Sequence, residues 1–140
     1  MVYLDASALV KLYVAEVDGD RVQRLFHGRG QPTTCRHSHV EVVSALWRRA
    51  RAGEIGEVAR DRAAASLERL LGRMPVVEVT PAVTGRAVEL VQRHPLRSGD
   101  AVQLASALHL AAQSGRTVRF VCYDAALTAA ARVEGLKAPP

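Results

Sequence analysis

Short runs of β-type residues recur along this 140-residue chain, and each gives way to a longer stretch with helical spacing. That alternation constrains the fold most, because parallel strands need crossover connections of a dozen or so residues and helices supply them. Four runs read as strands: Val2–Leu4, Gln31–Cys35, Met74–Val79 and Val118–Cys122. Three of them are rich in Val or Leu, as strands buried on both faces tend to be. Between and after them, Ala6–Val14, Asp18–Arg29, Ser38–Ala52, Gly56–Gly72, Pro81–Arg93, Gly99–Ser114 and Asp124–Val133 read as helical. The third and fourth form a helical hairpin broken at Gly53, and Pro81 suits a first helical turn. The expectation is an α/β fold with a mostly parallel sheet. No Ser/Gly linker, repeat or low-complexity tract divides the chain, so residues 1–140 are expected to form one domain with a frayed Ala-Pro-Pro end.

Hydrophobic residues at 49% and charged residues at 24% suit one globular domain, long enough to fold without a disulfide framework or structural metal. Cys35 and Cys122 are 87 positions apart, with no C-x-x-C and no His at finger spacing. Zinc modules and disulfide scaffolds are therefore disfavoured, and a reducing, cytoplasmic setting is expected. No basic segment precedes the apolar Val2–Leu4 run and no apolar stretch approaches membrane-spanning length, so neither a secretory signal nor a membrane span is expected. The 19 basic residues outnumber the 14 acidic ones for a net charge of +5, and 17 of the 19 are Arg. Arginine forks match phosphate geometry, so the balance favours an anionic partner such as nucleic acid.

With so few acids, each can be weighed singly. Glu16, Asp18 and Asp20 mark a helix start. Glu54, Glu57, Asp61 and Glu68, interleaved with Arg60, Arg62 and Arg69, read as a solvated helix face, as do Glu89 and Glu134. Asp5 differs, because it follows an apolar strand directly and precedes an apolar helix, which places it where open parallel sheets bind ligands. Asp124 repeats the arrangement after Val118–Cys122. Asp100 opens a helix whose core face is Val102, Leu104, Ala105, Leu108 and Ala112, and Glu41 lies in the first turn of the helix after the weak second strand. Each acid has a plainer reading. Asp5 would cap the helix at Ala6, with Ser7 able to cap in its place; Asp100 would complement a helix dipole; Glu41 would be an exposed partner of Arg48.

Four such acids near one sheet edge are better explained together, as a cluster. Two carboxylates about 4 Å apart repel by about 4 kcal/mol at an effective dielectric of 20, so a cluster of four must take up protons or a cation. Oxygen-only donors select Mg²⁺ or Mn²⁺ over zinc, and His27, His37, His39, His94 and His109 show no ligand spacing. A hard divalent ion on a basic protein suits attack of water on a phosphodiester, a nuclease reaction. The same site without catalysis would be a nucleic-acid binding pocket.

These residues resemble the PIN-domain ribonucleases, in particular the VapC toxins of bacterial and archaeal toxin-antitoxin pairs. The likeness rests on Tyr3-Leu-Asp-Ala-Ser-Ala-Leu-Val-Lys-Leu-Tyr13, Glu41-Val-Val-Ser-Ala-Leu46 with Arg48, Gly99-Asp-Ala-Val-Gln-Leu-Ala-Ser-Ala-Leu108 and Phe120-Val-Cys-Tyr-Asp-Ala-Ala-Leu127. It implies a three-layer α/β/α sandwich with a short sheet of four or five strands. It also implies a Mg²⁺-dependent endoribonuclease, with Mn²⁺ as a substitute, in which Asp5, Glu41, Asp100 and Asp124 hold the metal and Ser7 supports the site. The implied partners are an RNA substrate, a second copy in a homodimer, and a small antitoxin lying in a groove by the hairpin Ser38–Gly72. Cys122 departs from the Thr or Ser that relatives often carry two residues before the last acid, and a thiol is a poor Mg²⁺ ligand.

Other readings fit less well. A haloacid-dehalogenase phosphatase needs a second acid where Ser7 stands, and a receiver domain needs an Asp where Thr80 follows Val79. The remaining rival is a non-catalytic PIN-like module that binds RNA or protein. Trp47 belongs to a stripe with Val43, Leu46 and Ala50 that suits core, dimer or antitoxin contact better than base stacking.

Overall fold

A computed structural model describes residues 1–14, 18–28 and 30–139. Its elements run β1 (Val2–Leu4), α1 (Ala6–Val10), α2 (Gly19–Leu25), β2 (Pro32–Cys35), α3 (His37–Arg51), α4 (Glu57–Leu71), β3 (Val76–Val77), α5 (Pro81–Arg93), α6 (Ser98–Ser114), β4 (Arg119–Val121) and α7 (Ala125–Val133). The four strands form one sheet in the order β3-β2-β1-β4, every pair parallel.

Strand alternation sorts the core into two layers, since successive side chains point to opposite faces. Tyr3 and Phe120 face one way, packed with Leu90, Leu104 and Leu127 of α5, α6 and α7. Leu4 and Val121 face the other, packed with Leu9, Val22, Leu46 and Leu67 of α1 to α4. Helices thus cover both faces, giving the three-layer α/β/α sandwich with four strands. Tyr3 and Phe120, neighbours in register, stack with ring centroids 5.5 Å apart.

Boundaries depart from the sequence reading where backbone chemistry intervenes. The third strand shrinks from Met74–Val79 to Val76–Val77. Pro75 has no N–H for a ladder, though its carbonyl still accepts from Thr34, and Thr80 is already committed to capping Val83 of α5. The first helix stops at Val10, with Leu12–Val14 following in turns, and the second covers Gly19–Leu25. Glu16 and Arg29 lie outside the described residues, as does Pro140. Gly53 adopts φ 74° at the turn of the α3–α4 hairpin, a left-handed conformation that favours glycine.

Two expectations about side chains are corrected. Ala112 is exposed rather than core, whereas α6 is buried almost all round from Ala101 to Ala107. Glu134 does not lie on a solvated face: only 7% of its side chain is exposed, and it accepts from Arg86, Arg93 and His94. Burial alone would push its carboxyl up, but His94 and the two arginines hold it below the ordinary range. No helix among the described residues is long and apolar enough to cross a membrane.

Candidate active site

At the carboxyl end of the strands lies an open cleft of about 940 Å³, and Asp5, Ser7, Glu41, Asp100 and Asp124 all line it. Two of the acids leave adjacent strands. Leu4 pairs with Val121, and the Asp5 N–H donates to the Val121 carbonyl, so β1 and β4 deliver Asp5 and Asp124 to the same end of the sheet. The other two come from helices in opposite layers, Glu41 from α3 and Asp100 from the first turn of α6.

Both strand-end acids also cap helices. Asp5 accepts from the Ala8 N–H at 3.0 Å, and Asp124 accepts from the Leu127 N–H at 2.8 Å. Capping and site roles coincide, because a helix that starts at the sheet edge turns its first N–H groups toward the cleft. Ser7 does not cap in place of Asp5; it donates to Asp5 Oδ1 at 2.7 Å and accepts from the Tyr123 N–H at 2.8 Å. It therefore ties the two strand ends together behind the acids.

Asp5 is 4% exposed. Burial pushes its carboxyl up to about 7, with a smaller push from Glu41, although bonds from Ser7 and Ala8 pull the other way. Glu41 is not an exposed partner of Arg48. It is half-buried and accepts from Gln103 Nε2, while His37 Nε2 stands 3.8 Å from its other oxygen. Asp100 accepts from Arg97 Nε at 3.1 Å, and the same guanidinium feels Asp124 and Glu41. The floor of the cleft is anionic, and its rim carries Arg48, Arg97 and Arg49, the last paired with Glu54 at 3.2 Å.

Among the described residues no three His, Cys, Asp or Glu side chains are already grouped closely enough to grip one ion. Each acid is instead held by a protein donor: Ala8 and Ser7, Gln103, Arg97, or Leu127. The donor set is nevertheless right for Mg²⁺ or Mn²⁺, being carboxylates on one cleft, one of them buried at a cost that a cation would offset. Cys122 does not line the cleft; its thiol shares a hydrogen bond with Thr128 Oγ1 at 3.0 Å, and burial pushes it up.

The sequence reading passed over Arg97, Gly99 and Gln103. Gly99 has a signal in hindsight: a Cβ there would meet Glu41 Oε1 at 2.7 Å. Trp47 packs partly buried against its core, and Arg60 lies 4.5 Å over its ring, occupying a face that a base would need.

The PIN domain family model matches residues 2–133. Among curated proteins, ribonuclease VapC49 of Mycobacterium tuberculosis is 36% identical over 108 residues, covering 77% of this chain and 75% of the relative. Ribonuclease VapC46 of the same species is 31% identical over 135 residues, covering 96% and 93%. Two solved structures share the fold. The VapC20 toxin of M. tuberculosis, described as cleaving the sarcin-ricin loop, superposes with a TM-score of 0.71 at 23% identity over all of both chains. VapBC2 of Rickettsia felis, bound to a DNA fragment from its promoter, gives 0.67 at 12% identity over 99% and 98%. With the family match spanning nearly the whole described chain and the acids gathered on the cleft, the chain belongs to the PIN-domain family, among its VapC-type members.

Proposed function

We propose that this protein is a metal-dependent endoribonuclease and the toxin of a toxin-antitoxin pair, with Asp5, Glu41, Asp100 and Asp124 holding Mg²⁺ or Mn²⁺ and Ser7 bracing Asp5. The observation that carries it is the delivery of four carboxylates, from two strand ends and two opposed helix layers, to one cleft with an arginine rim. The named ribonuclease activity of the VapC relatives supports RNA as the substrate.

The chain's own groups divide the work. Arg48 and Arg97 on the rim attract the phosphodiester backbone and seat one phosphate above the acids. Asp5, Glu41, Asp100 and Asp124 would hold a divalent ion, which would supply the Lewis-acid charge that eases attack of water on a phosphodiester. Ser7 and Ala8 fix the Asp5 carboxylate, and Arg97, whose Nε donates to Asp100, presents the rest of its largely exposed guanidinium to a phosphate at the rim.

The partner is a small antitoxin protein, as in the toxin–antitoxin complex from Klebsiella pneumoniae, one chain of which superposes with a TM-score of 0.58 at 16% identity over 85% of this chain and 84% of that one. The groove beside the α3–α4 hairpin is its expected seat, and a homodimer the expected assembly.

Incubation of a mixed RNA pool with the purified protein, in Mg²⁺, in Mn²⁺ and in EDTA, beside Asp5→Asn, tests the reading. Cutting that requires both the metal and Asp5 is expected. Binding of RNA without cutting, across substrates and both metals, would move the assignment to a non-catalytic binding module.

A further inference from the structure

Gln103 sits in the middle of α6 with 1% of its surface exposed, and a buried amide must find partners for its oxygen and both its hydrogens. Its Oε1 accepts from the Tyr3 hydroxyl at 2.8 Å and from the Cys35 thiol at 3.5 Å. Its Nε2 donates to Ser38 Oγ at 2.8 Å and to Glu41 Oε2 at 2.5 Å. The directions are settled by what lies beyond. Thr34 donates its hydroxyl to the Leu4 carbonyl at 2.7 Å, so Ser38, 2.7 Å from Thr34, donates to it and accepts from Gln103. Turning the amide over would set its carbonyl oxygen against the Glu41 carboxylate.

An apolar side chain of equal size would fill this space without any of these bonds. What the amide adds is a donor, anchored on β1 and β2, aimed at the one acid that comes from α3. Gly99, one helical turn earlier on α6, leaves the room that the other Glu41 oxygen occupies. The 99/103 face of α6 is thus shaped around the Glu41 side chain from two sides.

We propose that Gln103 is a positioning residue that holds the Glu41 carboxylate in place for a divalent cation in the cleft, an inference that rests on the metal-site reading above. It acts through Glu41 and touches neither cation nor RNA. Residues that orient a ligand from behind typically change metal affinity by about 10- to 100-fold when removed.

The test is calorimetric titration of the full chain with Mn²⁺, together with melting in EDTA, for wild type, Gln103→Met, Glu41→Gln and the double variant. Gln103→Met is expected to weaken Mn²⁺ binding by about tenfold or more. In the Glu41→Gln background the same change is expected to cost nothing further, because the residue it acts through is already disabled. Loss of the same factor in both backgrounds, or wild-type affinity in Gln103→Met, would overturn the proposal. Tyr3→Phe guards against a Gln103→Met chain that does not fold: it frees the far end of the amide without touching Glu41, and it too is expected to weaken Mn²⁺ binding, with unchanged affinity counting against the role. Wild-type protein that takes up no Mn²⁺ would sink the metal-site reading and this inference with it, whereas Mn²⁺ uptake equal in wild type and Gln103→Met sinks the inference alone.

Discussion

Asp5 serves two roles with opposite demands on its charge. As a cap it is stabilised by the Ser7 hydroxyl and the Ala8 N–H, yet burial still raises its carboxyl from the usual range near 4 to about 7. The sign follows from linkage: a carboxyl raised on folding favours the folded state most below the unfolded value and loses that contribution as pH climbs through about 7. A displacement of this size is on the order of 4 kcal/mol. In EDTA, the wild type is therefore expected to melt at progressively lower temperature as pH rises from 5 to 8, while Asp5→Asn, which keeps a capping oxygen, loses most of that slope and is at least as stable at pH 8. A slope that persists in Asp5→Asn would assign it to another group. Mn²⁺ competes with the same proton, so apparent affinity should rise across this window, by up to about tenfold per pH step below 7. Asp5 and Asp124 were legible in the sequence because an acid set between an apolar strand and the helix that follows it has few bland places to go. Gln103 was not, since a lone amide in a mostly apolar helix disturbs no periodicity, and its meaning lies in Tyr3, Ser38 and Glu41, all distant in the chain.

At the scale of elements, α6 does more than fill the core. It is buried along Ala101–Ala107, presents Asp100 from its first turn, and meets Glu41 of the opposite layer at Gly99 and Gln103. Gly99→Ala isolates the positional part of that design. Alanine suits a helix better than glycine, and the atom it would meet at 2.7 Å is the mobile end of Glu41, so the fold should yield little. The expected outcome is a melting temperature in EDTA close to wild type with RNA cleavage reduced by about 100-fold, the usual cost of displacing a site group by an ångström or so. Full activity would show that the exact place of Glu41 is immaterial. Element existence and order could be read from the alternation of β runs and helical stretches, but their ends could not. β3 is cut short by the missing N–H of Pro75 and by the claim of α5 on Thr80, and α1 stops at Val10 although apolar residues continue to Val14. Glu134 was misread for a related reason: the two arginines and the histidine that hold it come from α5 and its C-terminal end, which no local pattern on α7 discloses.

For the molecule as a whole, the parallel sheet is the device that makes a site. With every strand pointing the same way, the residues after β1 and β4 emerge at one edge, and the two helix layers lean over it with one acid each. A chain of net charge +5 thereby concentrates negative charge at its floor and leaves arginines at the rim, an arrangement suited to a cation below and a polyanion above. The most direct test of this account is a crystal of the protein soaked in Mn²⁺ and measured at the manganese absorption edge. The account predicts an anomalous peak in the cleft within bonding distance of Asp5 and at least one of Glu41, Asp100 and Asp124, lost in Asp5→Asn. An occupied manganese site elsewhere on the surface, with the cleft empty at saturating Mn²⁺, would contradict it.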